Sequence, residues 1–200
     1  MVDFDFEGAK MRLKECLKPE RYLHSLGVMQ TAKALAKRYG ADENKAEIAG
    51  LLHDCAKNID KYSSYKMCDE LGIILDDVTK KSPKLVHQYL GAQIAKIEYG
   101  ICDEEILSAI RCHTTAKCDM TLLDKIIYLA DIIEPDRDKE PFDGLIKLRT
   151  LCETDIDEAM LFALDMSIRK LTDRNALLHI DTVLARNWFL ERKISKTLEK

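Results

Sequence analysis

Apolar residues recur every three to four positions along most of this chain, and strand-like alternation never lasts more than a few residues. The spacing predicts helices nearly throughout. A first covers about Glu7 to Leu17. Pro19 suits the first turn of a second, which runs to Tyr39 and stops at Gly40. Within it Val28, Ala32, Leu35 and Tyr39 form an apolar stripe, with His24 one turn ahead of Val28. Asp42 is a cap for a third helix that carries His53-Asp54 near its end, and there Ala46, Ala49, Gly50 and His53 share one face. The small residues on that face are expected to leave room for something other than side chains. An amphipathic helix from Asp60 to Leu71 is closed by Gly72, and Asp76 to Lys81 reads as polar connector. Ser82-Pro83 reads as cap and first position of a helix that carries His87 and ends at Gly100. A helix from Asp103 has His113 at its C-terminal edge, and Thr121 caps a run from Leu122 to Ile133 that contains Asp131 and is stopped by Pro135. Helices over about Phe142–Cys152 and Ile156–Asp173 follow, then His179 and a last helix from Thr182.

With eight glycines and four prolines, no repeat and no linker-like composition, the expectation is an all-α fold in a single domain over residues 1–200. Its motif core spans about 20–137 and its C-terminal helices 142–198. The 31 basic and 35 acidic residues, without long runs of either sign, argue against a nucleic-acid or membrane-surface partner. No apolar stretch reaches the roughly 18–20 residues of a membrane span, and the acidic start Met1-Val2-Asp3-Phe4-Asp5 is unlike a signal peptide. Seven cysteines, an odd number with no Cys-x-x-Cys, read as reduced thiols in a cytoplasmic protein, with Cys55 and Cys112 as small core side chains.

The chemistry sits in the histidines. His24, His53, His87 and His113 fall on predicted helices or helix ends among apolar neighbours, as do Asp54 and Asp131. A carboxylate beside Leu51 and Leu52 is costly unless a cation or hydrogen bonds compensate it. Imidazole and carboxylate suit the same divalent ions. Six such groups exceed the four of a structural zinc site and suit two ions that share a carboxylate and keep open positions. Arg137 has the planar fork that fits phosphate oxygens, Lys57 is a point charge in the turn after His53-Asp54, and Arg21 lies one helical turn before His24. Thr114 and Thr115 offer hydroxyls to phosphate or to the carboxylates. Asp54, Lys57 and Arg137 are the candidate catalytic groups, and Arg21, Lys57, Thr114, Thr115 and Arg137 the candidate substrate contacts. His179 is read as a helix cap or a base contact, not a ligand.

The stretches Arg21-Tyr22-Leu23-His24-Ser25-Leu26-Gly27-Val28, Leu51-Leu52-His53-Asp54-Cys55-Ala56-Lys57, His87-Gln88-Tyr89-Leu90-Gly91-Ala92, Ile110-Arg111-Cys112-His113-Thr114-Thr115, Leu129-Ala130-Asp131-Ile132-Ile133-Glu134-Pro135-Asp136-Arg137 and His179-Ile180-Asp181-Thr182-Val183 span about residues 20 to 190. In this order they resemble the YqeK family of symmetrical bis(5′-nucleosyl)-tetraphosphatases, within the metal-dependent phosphohydrolase superfamily named after its histidine–aspartate pair. The chain departs from that pattern at Ile180, where proline is expected, at Gln88-Tyr89, and at Ala116-Lys117 after the two threonines.

The resemblance implies an HD-type helical bundle with two divalent ions, iron in this family, manganese and cobalt being alternatives. His24, His53 and Asp131 would hold one ion, His87 and His113 the other, and Asp54 would bridge. The implied substrate is diadenosine tetraphosphate, cut centrally into two ADP, so that the partner is a small dinucleoside polyphosphate or nucleoside diphosphate. A homodimer is among the oligomeric states left open. Other readings are a nucleotide phosphatase or phosphodiesterase of the same superfamily, a di-iron oxygenase on a similar scaffold, and a nucleotide-binding module without turnover.

Overall fold

A computed structural model describes residues 4–139 and 142–198. Among them the elements are helical and no strand occurs. The α-helices are α1 (Phe6–Cys16), α2 (Pro19–Tyr39), α3 (Glu43–Leu52), α4 (Lys61–Glu70), α5 (Asp77–Lys81), α6 (Val86–Glu98), α7 (Glu104–Cys112), α8 (Leu122–Ile133), α9 (Leu145–Thr154), α10 (Ile156–Asp173) and α11 (Ile180–Leu198).

Short polar side chains start most of these helices by accepting backbone N–H groups that have no partner inside the helix. Asp42 accepts from Lys45, Asp60 from Ser63, Asp103 from Glu105 and Ile106, and Asp155 from Asp157 and Glu158. Thr121 and Asp124 form a reciprocal capping box at α8. Gly40, at φ 72°, ends α2 in the left-handed conformation that favours glycine.

Three local expectations are corrected. The connector before Ser82 is helical as α5, because Asp76 accepts from the N–H groups of both Val78 and Thr79. Ser82 makes no side-chain cap, and Pro83 opens a 3₁₀ turn, Pro83–Leu85, before α6 begins at Val86. Finally, α9 starts at Leu145 rather than Phe142, since Gly144 sits at φ 93° directly before it.

The core centres on α8. Ile126, Ile127, Leu129 and Ala130 are fully buried, so this helix is apolar on nearly every side and lies inside the bundle. Its neighbours include α2, α7, α9 and α10, while α11 packs on α10. α2 and α3 approach closely. A Cβ placed on Gly50 would lie 2.9 Å from the Cα of Met29 and 3.1 Å from the carbonyl oxygen of Val28. The small-residue face of α3 therefore admits the backbone of α2. At Gly50 it leaves no room for a ligand, which corrects the sequence reading there: closing helices around a small residue buries more surface than leaving a void.

Candidate metal and phosphate site

Two helices end where the site begins. α3 stops at Leu52 and α7 at Cys112, so His53 and His113 are the C-caps of their helices, and Asp54 lies in the turn that follows α3. His87 stands at the start of α6, His24 in the second turn of α2, and Asp131 in the last turn of α8. All six candidate ligands come together. His24 Nε2 lies 2.9 Å from Asp131 Oδ1, His87 Nε2 3.1 Å and His113 Nε2 3.5 Å from Asp54 Oδ1, and His53 Nε2 3.5 Å from Asp54 Oδ2. The rings of His24 and His53, His53 and His113, and His87 and His113 meet edge to face with centroids 4.9–5.2 Å apart.

The other nitrogen of each ring is held from behind. Nδ1 lies 2.8 Å from the Gly50 carbonyl in His53, 2.6 Å from the Lys84 carbonyl in His87 and 2.7 Å from the Ile110 carbonyl in His113. In His24 it lies 3.0 Å from Oε1 of Glu134. An oxygen acceptor at Nδ1 holds a proton there, so all four Nε2 atoms face the centre, where that of His24 meets the Asp131 carboxylate.

Electrostatics separates the groups. Burial lowers the His53 pKa, outweighing the attraction of Asp54, and lowers that of His87 to about 4, so both imidazoles stay neutral and able to ligate. His24 is also buried, yet the carboxylates of Asp131 and Glu134, one beside each ring nitrogen, outweigh desolvation and raise its pKa. Burial opposes ionisation of Asp54 and Asp131, but the facing histidines win and hold both carboxyls well below their usual range. Burial pushes the thiols of Cys55 and Cys112 up, consistent with core side chains.

The candidate cations ring the carboxylates. Arg21 Nη1 donates to Asp54 Oδ2 at 2.9 Å, and Lys57 Nζ lies 3.3 Å from Asp54 Oδ1 and 2.9 Å from His87 Nε2. Arg137 Nη2 donates to Asp131 at both its carbonyl (2.9 Å) and Oδ1 (3.0 Å). The threonines differ from one another. Thr114 Oγ1 lies 3.3 Å from His87 Nε2, whereas the buried Thr115 hydroxyl accepts from Gln88 Nε2 at 3.2 Å. His179 is the cap of the two options: its Nδ1 accepts from the N–H of Asp181 at the start of α11, and its Nε2 lies 2.9 Å from Asp76 Oδ2.

Two residues with no assigned role in the sequence reading support the site. Fully buried Gln88 accepts from the N–H groups of Thr114 and Thr115, fixing the turn after His113. Buried Glu134 backs His24. A signal for Glu134 was present, since an acidic residue at a helix end before proline is turned out of helical geometry.

The donor set fits metal. Of the buried side-chain polar atoms without a well-formed hydrogen bond among the described residues, three are His24 Nε2, His53 Nε2 and Asp54 Oδ1, the fourth being the Ser25 hydroxyl. Such atoms are costly to bury unless an ion engages them. Two overlapping groups, His24–His53–Asp131 and His53–Asp54–His113, each bring three ligand atoms within 4.8 Å of one another.

Residues 21–136, which hold every candidate ligand, match the model of the HD domain. The chain belongs to the HD domain family. Its HD relatives include proteins named symmetrical bis(5′-nucleosyl)-tetraphosphatase. That of Bacillus subtilis (strain 168) is 40% identical over 190 residues, covering 92% of this chain and 97% of the relative. That of Halalkalibacterium halodurans is 42% identical over 178 residues, covering 89% and 93%. A crystal structure from Clostridium acetobutylicum, described as a predicted HD superfamily hydrolase involved in NAD metabolism, superposes with a TM-score of 0.90 at 40% identity, over 94% of this chain and 98% of that one. The all-α HD-type expectation therefore holds.

Proposed function

We propose that this HD protein is a symmetrical bis(5′-nucleosyl)-tetraphosphatase that hydrolyses diadenosine tetraphosphate into two ADP at a dinuclear metal centre in the cytoplasm. One observation carries the reading: four inward Nε2 atoms and two carboxylates converge at a point ringed by Arg21, Lys57 and Arg137. The names of relatives at 40–42% identity support the substrate. His24, His53 and Asp131 would hold one divalent ion, His87 and His113 the other, and Asp54 would bridge; iron is the ion that the family resemblance implies. Bound there, such ions supply a nucleophile from water at neutral pH and neutralise phosphoryl charge.

The chain's own groups do the rest. The buried, hydrogen-bonded histidines hold the donor geometry rigid before substrate arrives. Arg137 and Arg21 present planar forks to the polyphosphate, and Lys57 adds a point charge beside Asp54. Thr114 stands where its hydroxyl can donate to a phosphate oxygen, while Thr115 holds the turn. In a central cut the leaving half is ADP, a good leaving group that needs no dedicated acid.

Hydrolysis of diadenosine tetraphosphate in isotopically labelled water, with the products weighed, tests the proposal. Two ADP are expected, one carrying a solvent oxygen. ATP plus AMP, or free phosphate, would overturn it and place the chain with an asymmetric hydrolase or a nucleotide phosphatase.

A further inference from the structure

The four inward histidines are not held alike. His53, His87 and His113 stand at helix ends, where carbonyls just before them can accept from Nδ1; those of Gly50 and Ile110 belong to last turns, which lack intrahelical partners. His24 lies inside the 21-residue α2, where the carbonyls of the preceding turn are engaged in the helix. Its Nδ1 needs an acceptor from elsewhere in the fold, and that acceptor is a carboxylate.

Glu134 is built to serve. Pro135 forbids a further helical turn, so Glu134 leaves α8 at φ −54°, ψ 155°. Arg149, from α9, donates to the carbonyls of Ile133 (3.0 Å) and Glu134 (3.1 Å) and fixes that exit. The two carboxylate oxygens have different partners: Oε1 meets His24 Nδ1 at 3.0 Å, with Arg137 Nε farther off at 3.7 Å, and Oε2 accepts from the Asp136 N–H at 2.7 Å. On α2, one turn beyond His24, Gly27 makes the space. A Cβ there would lie 2.6 Å from Oε2 and 3.4 Å from the carboxyl carbon.

We infer that Glu134 is a positioning residue that tightens the hold of the His24–His53–Asp131 group on its ion, and that Gly27 is glycine in order to admit it. The inference rests on the metal-centre reading of the site and adds an asymmetry to it. An anionic acceptor makes an imidazole a stronger donor to a cation than a carbonyl does, and removing such a partner costs about 10–100-fold in metal affinity. Residues 27 and 134, far apart in sequence, should therefore share one phenotype confined to one ion.

The test is titration of chelator-stripped, full-length protein with Co²⁺, following stoichiometry by elemental analysis and the stepwise affinities by calorimetry and visible absorption. Glu134→Ala and Gly27→Ala are each expected to weaken one of two binding steps about 10–100-fold and to leave the other unchanged. Glu134→Gln should recover part of the loss, because one amide oxygen cannot serve both His24 and Asp136. Unfolding curves accompany each variant. Wild-type affinities in Glu134→Ala, or equal weakening of both steps, would overturn the inference. If the wild type binds one ion and Glu134→Ala weakens it, the inference stands and the dinuclear reading falls. If the wild type binds none, both fall.

Discussion

A histidine offers an ion one lone pair, and the partner of its other nitrogen decides which. Here each Nδ1 has an oxygen behind it, so the ligand set is prepared before any ion arrives. His87 and His113 are paired, with Nε2 atoms 2.9 Å apart beside Asp54. His87→Ala and His113→Ala should each lower occupancy of one ion, measured by elemental analysis, and abolish most hydrolysis. Full activity and full metal in His87→Ala would make it a core histidine. Arg137 touches Asp131 but projects partly to solvent. Arg137→Ala should keep the metal yet cost roughly 1.5–3 kcal/mol in kcat/KM, about 10–150-fold, as a charge-assisted phosphate contact does. Arg137→Lys should recover only part, because the bidentate fork is lost. Unchanged kinetics in both variants would remove Arg137 from the substrate contacts.

Elements set how close the ligands come. His24 rides on α2 and His53 on the end of α3, and Gly50 lets these helices touch backbone to backbone. Gly50→Ala must push Met29 away. It is expected to destabilise the fold by about 1–3 kcal/mol in urea unfolding and to weaken metal binding as well. Gly91→Ala is the control, since its Cβ would meet Cys55, His53 and Ile110 at an ordinary 3.6 Å and alanine favours the helix. A second pair of elements meets at Asp76, which caps α5 and faces His179 at the start of α11. Burial opposes its charge, but the Thr79 hydrogen bond and His179 hold its carboxyl below the usual range. A depressed carboxyl contributes stability that is present above its unfolded pKa of about 3.9 and is lost as pH falls toward its folded value. Asp76→Asn keeps a capping side chain but loses the charge. Because the Asp76 side chain is 44% exposed and water screens the pair, the substitution should cost only about 0.2–1 kcal/mol at pH 7, a gap that narrows progressively below pH 4 in thermal unfolding curves. A gap that stays constant down to pH 3 would assign the loss to shape and not to charge.

At the scale of the whole molecule, buried apolar side chains from Ala9 to Phe189 form one core, with α8 inside it. That continuity is the basis for expecting the chain to behave as a single domain: calorimetry should give one transition, with calorimetric and van't Hoff enthalpies equal. Two separable transitions would divide it. Much of this was legible in the sequence. Helix periodicity, the caps Asp42, Asp103 and Thr121, and the stop at Pro135 depend on neighbours within a few residues, and the chain alone states them. The six ligand candidates were legible too, because a buried His or Asp among apolar neighbours conflicts with burial unless something compensates it. What neighbours in sequence could not decide was contact between distant segments. The small face around Gly50 reads in sequence as room for a ligand, whereas in the fold α2 lies on it. The Thr115 hydroxyl turned toward Gln88, and His179 became a cap facing Asp76. Glu134, 110 positions from His24, became its acceptor. Local backbone preferences are fixed by the residues that have them, whereas the partner of a side chain is chosen by which helices the core brings together.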